Sequence, residues 1–175
     1  MKRHLQFLLT ASGLAVTAAA SANYTVTVNA IDQNGVGKEI GQVAITTAKS
    51  GGVVFAPNLK SLPPGEHGFH VHDNASCEVK DKEGKIEAGE AAGGHYDPKH
   101  SDKHAGPAGD GHLGDLPALH VDASGNATKA VTAPRLKLAE IKGHSLMIHA
   151  GGDTNSDQPA PNGAGGARIA CGLIK

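Results

Sequence analysis

The 175-residue sequence has few aromatic residues, few cysteines and no large excess of either charge. Trp is absent, Tyr occurs twice and Phe three times, whereas Gly occurs 24 times and Pro nine times. Lys and Arg number 16 against 17 Asp and Glu, so the chain lacks the basic field that holds nucleic acid or anionic lipid. The length allows one modest core and excludes two large domains.

Histidine is the residue type that stands out. The chain has 11 His beside only two Met and two Cys. Histidine combines titration near neutral pH with metal ligation. The histidines are therefore the first candidates for functional residues.

The N-terminus has the three parts of a secretory signal. Met1–His4 is positively charged, Leu5–Ala20 is apolar, and Ala20-Ser21-Ala22 is a small-residue cleavage site. We predict that residues 1–22 are removed and that 23–175 form the mature domain. The alternative is an uncleaved membrane anchor, but the apolar stretch is short for a span and is interrupted by polar residues. No other segment of the sequence is apolar enough to cross a bilayer.

The predicted export affects how the two cysteines are interpreted. Thiols in an oxidising compartment usually pair, and Cys77 with Cys171 is the only intramolecular bridge the chain can form. Such a bridge would close a loop of nearly a hundred residues and contribute at most about 4 to 5 kcal/mol in the chain-entropy model. Two separate buried thiols are the competing interpretation.

Alternating apolar and polar residues predict an all-β fold. Tyr24, Val26, Val28 and Ala30 fall on one face of a half-buried strand, and Asn34-Gly35 then turns the chain. Short strands separated by Gly, Pro and Asn favour an antiparallel sandwich or barrel with Greek-key connections. Residues 136–142 could form one short helical turn. Further strands are predicted over residues 42–47, 53–59, 67–72, 116–122, 128–133, 146–150 and 167–174.

Two segments are too long and too rich in glycine to be ordinary turns. They are residues 73–115 and 151–166, and loops of that length are usually functional or disordered. The first contains Cys77 and several histidines, and the second ends shortly before Arg168. We expect covalent or metal bonds to hold both loops in place.

Two histidine groups could bind metal. His70 and His72 are two residues apart in a predicted strand, so both rings project from one face, although a chance surface pair is an equal alternative. The 73–115 loop then contains a series of three histidines and one aspartate. Three imidazoles and one carboxylate complete a tetrahedral zinc shell with no open position, which is expected to be structural, whereas the alternative is a polar solvated loop. The series is His95, His104, His112 and Asp115.

Motifs along nearly the whole predicted mature chain resemble those of the bacterial, periplasmic copper/zinc superoxide dismutases. Together these motifs are highly specific. The blocks are Gly68-Phe69-His70-Val71-His72, Gly94-His95-Tyr96-Asp97-Pro98, Gly111-His112-Leu113-Gly114-Asp115-Leu116-Pro117, His149-Ala150-Gly151-Gly152-Asp153 and Gly165-Gly166-Ala167-Arg168-Ile169-Ala170-Cys171-Gly172.

The resemblance implies an immunoglobulin-like β-sandwich with a metal-binding loop and an electrostatic loop. It also implies one copper and one zinc ion per subunit, periplasmic location and superoxide as the substrate. A homodimer is expected, with a monomer as the alternative, and no nucleic acid or membrane partner. The implied copper ligands are His70, His72, His95 and His149, and the implied zinc ligands are His95, His104, His112 and Asp115.

The resemblance also implies roles for residues beyond the ligands. Arg168 would guide and hold the anion, and His95 would bridge the metals and carry a proton. Asp153 would accept hydrogen bonds from one histidine of each metal, and His67 would anchor the backbone. Cys77 and Cys171 match the intrachain disulfide of the family.

Some residues fall outside the family pattern. The sequence departs from the usual bacterial pattern at 154–155 and 162–164, neither of which contains a proposed ligand. His100, His120 and His144 match no ligand and are interpreted as solvated or locally hydrogen-bonded.

Two other functions are alternatives to a superoxide dismutase. A periplasmic metal-buffering protein would explain the histidines but not Arg168 or Asp153. A zinc hydrolase would need an open zinc position, which the predicted shell lacks.

Overall fold

The computed structural model describes residues 23–175, so the predicted signal segment and its cleavage site lie outside the described residues. Within 23–175, no helix is long and apolar enough to span a membrane. The strands are β1 (Tyr24–Asp32), β2 (Gly35–Thr47), β3 (Val53–Leu59), β4 (Gly65–His67), β5 (Phe69–His72), β6 (Lys80–Lys82), β7 (Lys85–Glu87), β8 (Leu119–Val121), β9 (Val131–Ala133), β10 (His144–His149) and β11 (Arg168–Ile174). Short 3-10 helices cover Glu90–Ala92, Leu138–Glu140 and Asn162–Ala164.

Seven of the strands form one curled antiparallel sheet in the order β5-β10-β11-β1-β2-β3-β9. The pairs β5–β10 and β11–β1 join strands that are far apart in the chain, as Greek-key connections require. Two small pairs, β4 with β8 and β6 with β7, complete the strand pairing of the described chain. The all-β prediction is therefore confirmed.

Alternation along the strands places the core on the inner side of the curled sheet. In β1, Val26 and Val28 are buried while Thr25 and Thr27 are exposed, as the period-2 pattern predicts. Phe55 of β3 and Phe69 of β5 are fully buried, and their ring centroids lie 5.8 Å apart in an edge-to-face arrangement. Because β3 and β5 lie near opposite edges of the sheet, this contact closes the curl around one core.

The segment 67–72 is not one continuous strand. At Gly68 the chain passes from β4, which pairs with β8, to β5, which pairs with β10. The Gly68 N–H donates to the Gly151 carbonyl, and its own carbonyl accepts from the His149 N–H. A Cβ at Gly68 would lie 3.1 Å from Cε1 of His70 and 3.3 Å from Cβ of His149, which explains why glycine occupies this position.

Other sequence boundaries differ by a few residues. The strands predicted at 116–122 and 128–133 shorten to β8 and β9, and the predicted helical turn is the 3-10 helix Leu138–Glu140. The 73–115 loop contains the β6–β7 hairpin, which sequence analysis did not predict, and the 3-10 helix Glu90–Ala92.

The predicted disulfide is confirmed. Cys77 and Cys171 are bonded with their Cα atoms 5.7 Å apart, and no free cysteine occurs among residues 23–175. The bond attaches the beginning of the 73–115 loop to the middle of β11. It therefore fixes that loop to the strand that begins with Arg168.

Candidate metal centre

Strand β5 is the rigid base of the site. Phe69 and Val71 contribute to the core, whereas His70 and His72 project from the other face, and all four are buried. One edge of β5 pairs with β10, and the other meets the 73–115 loop at two isolated bridges, His70 with Asp115 and His72 with His95. The loop is thereby positioned against the two strand histidines.

His149 enters the site from the end of β10. Its register partner is Arg168 of β11, and the register shifts between Ile148 and His149. Such a local irregularity re-aims a side chain at the end of a ladder. The result is that a buried histidine and a partly buried arginine lie side by side at the same end of the sheet.

The first ligand group has ring nitrogens that converge. Nε2 of His149 lies 3.4 Å from Nε2 of His72. The Nδ1–H of His72 donates to the Gly93 carbonyl at 3.0 Å, and the Nδ1–H of His149 donates to the Gly166 carbonyl at 3.1 Å. These bonds leave both Nε2 atoms with lone pairs facing each other, as a metal requires. The members, all buried with ligand atoms within 4.8 Å of one another, are His70, His72, His95 and His149.

The second ligand group shares two residues with the first. The geometric group comprises His70, His95, His104 and Asp115, again with ligand atoms within 4.8 Å. Sequence analysis predicted His112 in place of His70. Nδ1 of His112 lies 3.5 Å from Oδ1 of Asp115 and is buried without a hydrogen-bond partner. The orphaned nitrogen fits a missing metal bond, so the assignment of His112 stays a prediction with structural support.

Asp153 forms hydrogen bonds with His70 and with His104. Its Oδ2 accepts the Nε2–H of His70 at 2.7 Å, and its Oδ1 accepts the Nε2–H of His104 at 2.8 Å. With its proton on Nε2, the neutral His70 ring carries a lone pair on Nδ1, and the Nδ1 atoms of both rings are buried without a hydrogen-bond partner. Nδ1 of His104 does approach Oδ2 of Asp115 at 3.0 Å, but not in line for a hydrogen bond. The arrangement suits two metal ions.

Burial and charge set the protonation of the site's imidazoles and carboxylates. Burial lowers the pKa of His70 to about 3 and that of His149 to about 4, and it holds the pKa of His72 well below 6.5. These rings are therefore neutral, which is the form that ligates metal. Burial also opposes charge on His104, but the adjacent carboxylates of Asp115 and Asp153 outweigh it and raise the pKa of His104 to about 9.

The carboxylates are ionised in turn. Burial would raise the pKa of Asp115, but the imidazoles of His104, His112 and His95, all within 3.5 Å of it, hold it far below its ordinary value. The pKa of Asp153 is likewise lowered, because the hydrogen bonds from His104 and His70 outweigh its burial. The second group therefore combines imidazoles with a carboxylate anion, which is the donor set of a zinc site.

Arg168 borders an open cavity beside the first group. The cavity, of about 800 Å³, is lined by His95, His149 and Arg168 among others. The Arg168 guanidinium donates from Nη1 to the Gly89 carbonyl at 2.6 Å and from Nη2 to the Gly93 carbonyl at 2.7 Å. Both glycines have positive φ, 61° and 78°, so the turn that holds the arginine needs residues without a side chain.

The remaining predicted residues lie around this centre. Both ring nitrogens of the buried His67 face carbonyls, those of His149 at 2.7 Å and Pro63 at 2.8 Å. His144 packs on Tyr96 with ring centroids 4.2 Å apart, and its Nδ1–H donates to the His72 carbonyl. His120 and His100 are exposed: His120 contacts Glu66 at 2.6 Å, and His100 lines a cavity together with His95 and His112.

Sequence analysis missed two contributors. Arg135 donates hydrogen bonds to the carbonyls of Gly106, Pro107, Gly111 and His112, so it holds the part of the 73–115 loop that contains His104, His112 and Asp115. Glu90 lies 3.2 Å from Nη1 of Arg168. Both contacts join residues distant in sequence, and no local pattern marks either of them.

The fold and the two linked ligand groups define an all-β protein with two adjoining sets of buried side chains that could each hold a metal ion. Residues 39–174 match the family described as copper/zinc superoxide dismutase (SODC). The chain belongs to this family. Its fold and its disulfide agree with the expectations that the sequence motifs raised.

Individual relatives are similar over most of their length. The Cu-Zn superoxide dismutase of Escherichia coli (strain K12) is 56% identical over 160 residues, covering 91% of this chain and 92% of the relative. A solved structure of Cu/Zn superoxide dismutase from Brucella abortus has 53% identity and a TM-score of 0.84, covering 86% and 98% of the two chains. The solution structure of a monomeric enzyme from Salmonella enterica has 56% identity and a TM-score of 0.77, covering 86% and 98%.

Proposed function

We propose that this protein converts superoxide to dioxygen and hydrogen peroxide, as an antioxidant enzyme of the periplasm. The observation that carries the proposal is the pair of buried ligand groups sharing His70 and His95, with Arg168 lining the adjoining cavity. Family membership supports the same activity.

The residues present fit one copper and one zinc ion. An all-imidazole group suits copper, and a group of imidazoles with one carboxylate suits zinc. When bound, copper supplies one-electron redox chemistry and zinc a fixed positive charge. We assign copper to His70, His72, His95 and His149, and zinc to His95, His104, His112 and Asp115.

The chain's own groups would bind the anion and move a proton. The guanidinium of Arg168 is fixed by two backbone carbonyls, so its charge is pre-oriented toward the cavity that His95 and His149 line. Nδ1 of His95 lies 2.9 Å from Oδ1 of Asp115, and the opposite nitrogen of the ring can carry a proton toward the cavity. Asp153 and His67 position the ligands.

The remaining assignments concern export and assembly. The sequence of residues 1–22 supports a removable signal, with 23–175 as the mature domain and the periplasm as its location. The homodimer stays a prediction, and the Salmonella relative is described as monomeric. Sedimentation of the mature protein measures which state this chain adopts.

Superoxide decay tests the function. Purified mature protein is compared as the metal-free, the zinc-only and the copper- and zinc-loaded form. We expect accelerated decay only in the form that contains copper. If the fully loaded protein binds both metals tightly and superoxide decays no faster than in buffer, a metal-buffering protein becomes the better interpretation.

A further inference from the structure

Glu90 is placed where it interacts with the anion-binding arginine. It begins the 3-10 helix Glu90–Ala92, and the carbonyls of Gly89 and Gly93 on either side of that helix hold Arg168. Oε2 of Glu90 lies 3.2 Å from Nη1 of Arg168, and Oε1 lies 3.2 Å from Nζ of Lys82. One carboxylate thus contacts two cations at once.

The contact is partly shielded from water. The side chains of Glu90 and Arg168 are 19% and 15% exposed, so their attraction is screened less than that of a surface pair. Both residues line the same cavity as His95 and His149. An anion that approaches the histidines through this cavity therefore meets Arg168 with a carboxylate already beside it.

The fixed charges of the cavity wall cancel. If the histidines are neutral, the positive and negative residues are equal in number, so Glu90 offsets one full cationic charge. The cations are Lys82, Lys85 and Arg168, and the carboxylates are Asp32, Glu87 and Glu90. Of these carboxylates, Glu90 forms the ion pair with Arg168, whereas Glu87 lies 3.6 Å from Lys85.

We propose that Glu90 sets the anion affinity of the catalytic cavity by competing with incoming small anions for the guanidinium of Arg168. This inference deepens the proposed function and rests on it. The carboxylate acts as a built-in competitor: it weakens the binding of any small monoanion, superoxide included, and shares its charge with Lys82. Glu90 therefore determines anion affinity through its contact with the anion-binding group.

The test is Glu90→Gln, which removes the charge and nearly preserves the shape. The probe is azide, titrated into copper- and zinc-loaded protein and followed by the visible absorption of the copper site. At an ionic strength of about 0.01 M we expect azide affinity and the second-order rate with superoxide to rise about fivefold, the effect of one unit charge a few ångströms away in water. At about 1 M salt the ratio to wild type falls toward one, because the screening length shrinks to about 3 Å.

Two further variants separate charge from contact. Glu39→Gln makes the same charge change at an exposed residue of β2 that does not line the cavity, and we expect azide affinity to remain that of wild type. Glu90→Asp keeps the charge on a shorter side chain, so most of the suppression should remain. Metal content and thermal unfolding of each variant show that it is folded and loaded.

The outcomes distinguish this inference from the proposed function. Higher azide affinity in Glu90→Gln alone supports the competition, even if no form accelerates superoxide decay, in which case only the proposed function fails. Equal azide affinity in wild type and Glu90→Gln overturns the competition. A lower affinity in Glu90→Gln also overturns it, because Glu90 would then act by holding Arg168 in position.

Discussion

Replacing Asp153 by Asn should uncouple the two ligand groups. The carboxylate accepts ring N–H groups on both oxygens, from His70 at 2.7 Å and from His104 at 2.8 Å. An amide has one accepting oxygen and one donating nitrogen, so it can accept from only one of the two rings. The other ring must reorient or move its proton to Nδ1, the nitrogen that faces the metal position.

We expect His104, and not His70, to lose its hydrogen bond to the side chain at position 153. His70 is fixed by the ladder between β5 and β10, whereas His104 lies in the 73–115 loop. The backbone N–H of Asn155, which also donates to Asp153, is exposed and can turn to water. Loss of such an outer hydrogen bond typically lowers metal affinity by about 10- to 100-fold. We therefore expect zinc affinity to fall by that factor, or about 1.4 to 2.7 kcal/mol, and copper affinity to fall less.

Competition with a chromophoric chelator measures both affinities. The matched control is Asp157→Asn in the same 151–166 loop, because Asp157 accepts backbone N–H groups from His104 and Asn162 but contacts no imidazole nitrogen. Its effect on zinc affinity should be clearly smaller. If Asp153→Asn binds zinc as tightly as wild type, the argument that Asp153 fixes the His104 ring is wrong.

Three other perturbations test separate parts of the structure. Arg168→Ala should lower the rate of superoxide dismutation and the salt dependence of that rate, both measured by pulse radiolysis. Metal analysis should show unchanged copper and zinc content. The double variant Cys77→Ser/Cys171→Ser should lose up to about 4 to 5 kcal/mol in urea unfolding, and an unchanged midpoint would contradict a stabilising bond. In the metal-free protein, the raised pKa of His104, about 9, contributes stability that is fully present below pH 6.5 and is lost as pH rises through 9. Zinc binding near pH 8 should release a proton from His104, which calorimetry in different buffers detects.

The sequence predicts the parts of this molecule that depend on short-range patterns. Alternation along Tyr24–Asp32 corresponds to β1, and the two-residue spacing of His70 and His72 corresponds to two rings on one face of β5. The β6–β7 hairpin was missed because its strands are charged and exposed, so no apolar alternation marks them. The break at Gly68 was missed because it depends on contacts with His149 and Gly151, far along the chain.

The electrostatic part of the site depends on tertiary structure. Glu90 and Arg168 are brought together only when the 73–115 loop folds against β11, and the disulfide between Cys77 and Cys171 ties that loop to that strand. Motifs can identify an arginine as an anion-binding group, but they carry no information on the carboxylate that opposes it. Such partners must be read from the folded chain.

The carbonyl of Gly93 gives a physical reason why the disulfide affects the proposed copper ligands. It accepts a hydrogen bond from Nδ1 of His72 and another from Nη2 of Arg168, so one atom orients both a ligand ring and the anion-binding side chain. Because the disulfide joins the loop of Gly93 to β11, breaking it would loosen this carbonyl relative to both donors. Its reduction should therefore impair anion binding and copper affinity together, whereas a purely stabilising crosslink would change neither in the folded protein.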